Sequence, residues 1–305
     1  MGRALRLTGT ALAIAFAGVL VWRGAGEMPP LDLASGQVWL GLAAGWAFYV
    51  ASQLVAASAW RATLQVYDVT LPCGRAESQL LISQIGKYLP GGVAQYLGRA
   101  AIARADGAGT AAVAGALVLE VGVVLAAAAL ALAAVVLATP GFLAGLAAGL
   151  PGPAPGWSAL LAAGLLAMVA AVQALLWRRA GRPPLVAARL VLPVALHLAN
   201  FVVLGLSLWA VTQAVAPGAE AGVAHCVAIF TVAWVAGFLM PGAPGGAGVR
   251  DGIIAIGLEL FVAPGTALAC ALAHRAASVL GDAAILGIGL AFRRACGPVP
   301  AMAAK

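Results

Sequence analysis

The chain has 305 residues, of which 63% are hydrophobic and 9% are charged, where a soluble domain carries about 25% charged residues. Its formal net charge is +7, but the 17 Lys and Arg residues are scattered between apolar runs rather than gathered on one soluble face, which argues against a nucleic-acid partner. No segment is polar enough to form a soluble catalytic domain, so any chemistry has to sit within or beside a bilayer.

A membrane-spanning helix needs about 20 apolar residues. In chain order, six runs approach or exceed that length, at about 5–22, 37–60, 110–138, 157–177, 189–214 and 266–292. The first, behind Arg3 and Arg6, has the outline of a secretory signal. It ends in Trp22-Arg23 without a small-x-small cleavage site, and is expected to persist as a first helix. Two further segments are apolar but broken. Residues 78–104 are interrupted at Pro90-Gly91-Gly92, and residues 222–263 at Pro241-Gly242-Ala243-Pro244-Gly245-Gly246. The 39 glycines, with many alanines, suit helices that approach closely in lipid, where small residues make the contacts. The fold class that follows is all-α: a polytopic membrane helix bundle of six to eight crossings, forming one integral membrane domain over 1–305.

Lys and Arg are in excess in cytoplasmic loops. Arg3 and Arg6 place the N-terminus inside. Arg61, Arg75, Arg99 and Arg104 mark the second connection as cytoplasmic, Arg178, Arg179 and Arg182 do the same after the fourth run, and Arg293 and Arg294 place the C-terminus inside. The connection after the first run, with Glu27 and Asp32, and residues 141–156, with no charge, read as external. Trp22, Trp60, Trp157, Trp177 and Trp209 lie near run ends, as an interfacial belt requires. The expected location is the cell (inner, cytoplasmic) membrane. Charge counting leaves open whether 222–263 crosses twice or dips in and returns, hence eight crossings or six with re-entrant segments.

The two broken segments share an order of parts. Gly86-Lys87-Tyr88-Leu89-Pro90-Gly91-Gly92 is followed by Arg99 and by Gly109-Thr110-Ala111, which opens a long run. Gly237-Phe238-Leu239-Met240-Pro241 and Pro244-Gly245-Gly246 are followed by Arg250 and by Gly265-Thr266-Ala267, which opens the last run. Residues 37–138 and 189–292 then form two repeat halves, inverted with respect to the membrane if there are six crossings. Transporters commonly use this plan, with the substrate near the midplane where discontinuous helices meet.

Proline cannot continue a helix interior and glycine relaxes the backbone, so the N–H groups of the following half-helix are free to meet an anion. Candidate head-group-binding residues are Lys87, Tyr88, Pro90, Gly91, Gly92 and Arg99 at the first break, and Gly245, Gly246, Arg250 and Asp251 at the second. Arg104 lies nearer the loop. The alternative is a pair of kinked helices whose cations snorkel to the interface. Charges inside spans are costly and are normally paired or functional. Glu120 and Arg275 lie at corresponding depths and predict an ion pair across the repeat axis, with Asp282 a third intramembrane charge. Asp251 is expected to neutralise and orient Arg250, and Glu259 to reach the interface.

The cysteines, Cys73, Cys226, Cys270 and Cys296, have no CxxC spacing, and His197, His225 and His274 are isolated on apolar segments. Packed or hydrogen-bonded roles are expected, with no metal site and no cofactor. No Ser/His/Asp cluster or nucleotide-binding loop is visible, so no catalytic residues are assigned and the chain is not read as an enzyme.

Gly86 to Gly92 with Arg99, and Ala243 to Gly252 with Arg275, resemble the lysylphosphatidylglycerol synthase transmembrane-region family, the flippase-like membrane domain of the multiple peptide resistance factor. The resemblance covers about 37–292. The family usually has Glu where this chain has Asp251, and often Glu-Arg where it has Glu120-Val121. The resemblance implies movement of a phospholipid or lipid-linked glycan between leaflets, with membrane lipids of anionic or zwitterionic head group as partners and a lipid or glycan synthesis enzyme as a possible associate. Aminoacyl transfer is not expected, because no synthase segment is visible. A membrane-embedded lipid-modifying enzyme and a non-transporting accessory subunit are the alternatives.

Overall fold

The computed structural model describes residues 34–89, 93–139, 188–240, 244–246 and 248–297, together with isolated positions at 18, 141, 142, 145, 146 and 178. The run at 5–22 apart from Gly18, the run at 157–177, the N-terminal Arg3 and Arg6, Arg179 and Arg182, and Pro90, Gly91, Gly92 and Pro241 to Ala243 lie outside the described residues.

Among the described residues every regular element is helical. Eight α-helices follow one another: α1 Gly36–Val66, α2 Arg75–Ser83, α3 Ala94–Ala105, α4 Thr110–Ala138, α5 Ala188–Val215, α6 Val223–Leu239, α7 Val249–Leu258 and α8 Pro264–Ala295. Short 3-10 turns at Gln84–Tyr88 and Pro244–Gly246 stand at the two breaks. Four helices, α1, α4, α5 and α8, are long and apolar enough to cross a membrane, and the protein is accordingly a membrane protein.

Each of these four corresponds to a predicted run. Helix α1 extends six residues beyond Trp60 because the polar residues there are held. Thr63 Oγ1 donates to the Ala59 carbonyl at 2.9 Å and Arg61 pairs with Glu77 at 3.2 Å. Small residues set the main packing. A β-carbon on Gly45 would lie 2.4 Å from Val211 Cγ2, and one on Gly41 2.6 Å from Ala214 Cβ, so α1 and α5 meet at a spacing that larger residues would prevent. Ser207 adds a hydrogen bond to the Gly45 carbonyl at 2.7 Å. Residue order runs oppositely along this contact, so the two helices are antiparallel.

The ends of the bundle differ in character. At one end the C-terminus of α1, the start of α2, the end of α3, the start of α5 and the end of α8 lie together. They are joined by Arg61–Glu77, Arg75–Asp106 (3.2 Å), Arg293–Asp106 (3.0 Å) and Arg189–Asp68 (3.0 Å). At the other end Phe142, just beyond α4, packs on His225 at the start of α6 (ring centroids 4.7 Å apart) and on Phe261 after α7 (5.8 Å).

The apolar core is divided accordingly. One cluster joins Tyr49 of α1 to α5, α6, α7 and α8, and takes in the buried Cys226 and Cys270. A second joins α1, α2 and α4 with Ile285 of α8, around the fully buried Trp60.

Candidate functional site

At the first break the arms of the hairpin touch. A β-carbon on Gly86 would fall 2.7 Å from the Gln95 nitrogen, inside any allowed contact, so only glycine lets the 3-10 turn lie against the start of α3. At the second break Gly245, Gly246 and Gly248 have φ of +59°, +71° and +81°, backbone that side-chain-bearing residues rarely adopt. Asp251 then caps α7 by accepting the Gly248 N–H at 3.1 Å, satisfying one of the donors that every helix start leaves open.

The two breaks meet each other. A β-carbon on Gly245 would lie 3.6 Å from Lys87 Cγ and 3.8 Å from the Arg275 guanidinium. Lys87 Nζ in turn reaches both oxygens of Asp282, at 2.8 and 2.7 Å. The same carboxylate accepts from Tyr49 Oη at 2.8 Å and from Tyr88 Oη at 2.5 Å, and Lys87 also donates to Tyr49 Oη at 3.0 Å. Tyr49 lies across α8 only because position 281 is glycine; a β-carbon there would sit 2.4 Å from its ring. Asp282 is therefore the anchor of the first break on the last helix.

Two further charges are paired. Arg99 Nη1 donates to Glu120 at 2.7 and 2.5 Å, both groups are buried, and the guanidinium stands over Trp60 at 5.0 Å and Tyr96 at 5.7 Å. Arg275 lies 4.0 Å from Asp251. The predicted Glu120–Arg275 pair is thus not formed. Equal depth in two spans does not make their residues neighbours, and each finds its partner on the short helix that precedes its own: Arg99 of α3 for Glu120 of α4, and Asp251 of α7 for Arg275 of α8. The predicted Arg250–Asp251 neutralisation is likewise replaced, because Asp251 turns back to cap its own helix and faces Arg275.

Arg250 is different. Among the described residues it has no ion pair. Its guanidinium stands 5.9 Å from the Phe230 ring centroid, and its Nε is buried without a hydrogen-bond partner. It faces a cavity of about 360 Å³ bounded by α1, the first break, α3, α4, α5, α6 and the second break. Lys87, Arg99, Glu120, Gly245 and Gly246 also line it, as do Phe201, Phe230, Trp234 and Phe238, so its lining is both charged and aromatic. Tyr88, Asp251, Arg275 and Asp282 are not among the lining residues; Asp282 holds Lys87 and accepts from Tyr88, and Asp251 pairs with Arg275.

Four lining or anchoring residues carry no obvious signal in the sequence. His197 and Asn200 of α5 line the cavity with Nε2 and Oδ1 buried and unpartnered. Tyr49 clamps Asp282. Asp106 is fully buried and accepts from Gln79 at 2.8 Å as well as from Arg75 and Arg293, tying the first hairpin to the end of α8. The signal for the first pair is the spacing His197, Asn200, Phe201, Leu204, which puts one polar and aromatic stripe on a single helix face. Among the other histidines, His225 caps α6 through Gly222 and His274 bonds Ser207 at 3.2 Å. Among the described residues no three His, Cys, Asp or Glu side chains gather as a metal site would require.

The chain matches no known protein family, curated protein or solved structure.

Proposed function

We propose that this protein moves a lipid with a phosphate-bearing head group between the leaflets of the cell membrane. The observation that carries the reading is the cavity at the junction of the breaks, which is lined both by Arg250, without an ion pair among the described residues, and by Phe230, Trp234 and Phe238. A phosphate on Arg250 would supply the missing partner in charge-assisted geometry, while acyl chains lie along Phe230, Trp234 and Phe238. Such resemblance as the break motifs bear to the lysylphosphatidylglycerol synthase transmembrane-region family points the same way.

The architecture suits alternating access. Helices α2 and α3 have 9 and 12 residues, α6 and α7 have 17 and 10, lengths of about 14, 18, 26 and 15 Å at 1.5 Å per residue. None reaches the roughly 30 Å of a hydrocarbon core. The first hairpin leaves and returns at the Arg-rich end, the second at the Phe142–Phe261 end, and their tips touch at Lys87 and Gly245. We read this as two re-entrant hairpins of an inverted repeat, with the Arg-rich end cytoplasmic. The antiparallel α1 and α5 agree, since they open the two halves. So do the charge pairs, Arg99 (α3) with Glu120 (α4) and Asp251 (α7) with Arg275 (α8), which join equivalent helices with the signs exchanged.

The test is leaflet exchange in liposomes holding the purified protein and a head-group-labelled fluorescent phospholipid, read by a membrane-impermeant quencher. Loss of the protected half of the signal, well above protein-free vesicles, is expected. Exchange at the protein-free rate for every phospholipid class would refute the reading.

A further inference from the structure

The charges around the cavity do not cancel. Lys87 is matched by Asp282 and Arg99 by Glu120, while Arg275 faces Asp251. Arg250 is left over, so the Lys, Arg, Asp and Glu side chains around the site carry one uncompensated positive charge. In a low-dielectric site an unmatched charge is costly, and a ligand of charge −1 removes the imbalance. A zwitterionic lipid would bring an ammonium to a site whose carboxylates are already held by cations. A phosphomonoester would bring a second negative charge with nothing to meet it.

Two more lining residues bear on the rest of the head group. Asn200 Oδ1 needs a donor, and His197 Nε2 has no partner although the residue is only 4% exposed. Buried polar groups of this kind are normally satisfied. A hydroxyl can donate to one and serve the other in either tautomer, whereas a quaternary ammonium can do neither. The volume, about 360 Å³, stands near the lower end of the roughly 300–1,000 Å³ typical of ligand pockets. It suits one small polyol or sugar rather than an oligosaccharide.

We infer that the cavity selects a lipid with a single phosphodiester charge and an uncharged, hydroxyl-bearing head group. Arg250 takes the phosphate, and His197 and Asn200 take the hydroxyls. The inference rests on the lipid-carrying reading above and names its substrate class.

Native mass spectrometry of the detergent-purified chain with an equimolar mixture of dioleoyl phosphatidylglycerol, phosphatidylmethanol, phosphatidylethanolamine and phosphatidate tests it. Phosphatidylglycerol should be retained about tenfold over phosphatidylethanolamine and phosphatidate, and several-fold over phosphatidylmethanol, which has its charge without its hydroxyls. Arg250→Gln should erase the first preference, and Asn200→Ala and His197→Ala, made separately, the second. Equal retention of all four lipids, or of phosphatidylglycerol and phosphatidylmethanol, would overturn the inference. Displacement of the bound lipid by deacylated glycerophosphoglycerol would overturn its assignment to a lipid. Retention of phosphatidylglycerol without leaflet exchange supports the inference and refutes transport; exchange of all classes at one rate does the reverse.

Discussion

Asp282→Asn should destabilise the protein far more than the loss of one surface charge. The carboxylate holds Lys87 at 2.7 Å and accepts from Tyr49 and Tyr88, and the Asp282 and Lys87 side chains are 2% and 14% exposed. Removing one partner of a buried pair leaves the other charged and unmatched, at a cost of about 3–5 kcal/mol. At roughly 2–4 °C per kcal/mol for a chain of this order of size, the unfolding midpoint should fall by roughly 10 °C in a tryptophan-fluorescence or thiol-reactivity melt in detergent. Adding Lys87→Met removes the stranded ammonium, and the double variant should recover most of the loss. The informative quantity is the coupling between the two substitutions, about 3 kcal/mol on this reasoning. A midpoint within 2 °C of the parent for Asp282→Asn, or no recovery in the double variant, would refute the view that Asp282 anchors the first break.

Three other outcomes follow from the same geometry. Arg250→Gln should leave the melting midpoint unchanged or slightly higher, because no carboxylate loses a partner, while leaflet exchange falls at least about tenfold, the equivalent of ~1.4 kcal/mol. Glu120→Gln strands the buried Arg99 and should cost about 3 kcal/mol in the same melt, partly regained with Arg99→Gln. Asp106→Asn weakens the tie from the first hairpin to the last helix, and hydrogen exchange over residues 75–105 should rise while that of α6 stays as in the parent.

How much of this could be read beforehand differs by element. Helix α4 was legible to the residue, because the 29 positions from Thr110 to Ala138 are apolar or helix-compatible and stand between Gly109 and Thr139-Pro140. The breaks were legible too, since Pro and Gly interrupt helices for backbone reasons that need no neighbours. Partners were not. Depth along a span says nothing about rotation around it, so Glu120 was matched to Arg275 when Arg99, 21 residues away across a turn, reaches it. Asp106 beside Gly107 has the composition of a turn, and only the return of α8 past it makes it a buried three-way acceptor. Tyr49 looks like any aromatic in an apolar run until Gly281 is seen to make room for it.

The central claim is that a lipid phosphate sits on Arg250 where the two breaks meet. An electron cryomicroscopy map of the protein in nanodiscs containing phosphatidylglycerol tests it most directly. Density for a phosphate about 3 Å from the Arg250 guanidinium, with acyl density running along Phe230 and Trp234, is the predicted result. A cavity holding only water, with ordered lipid confined to the outer faces of α1, α4 and α8, would contradict it.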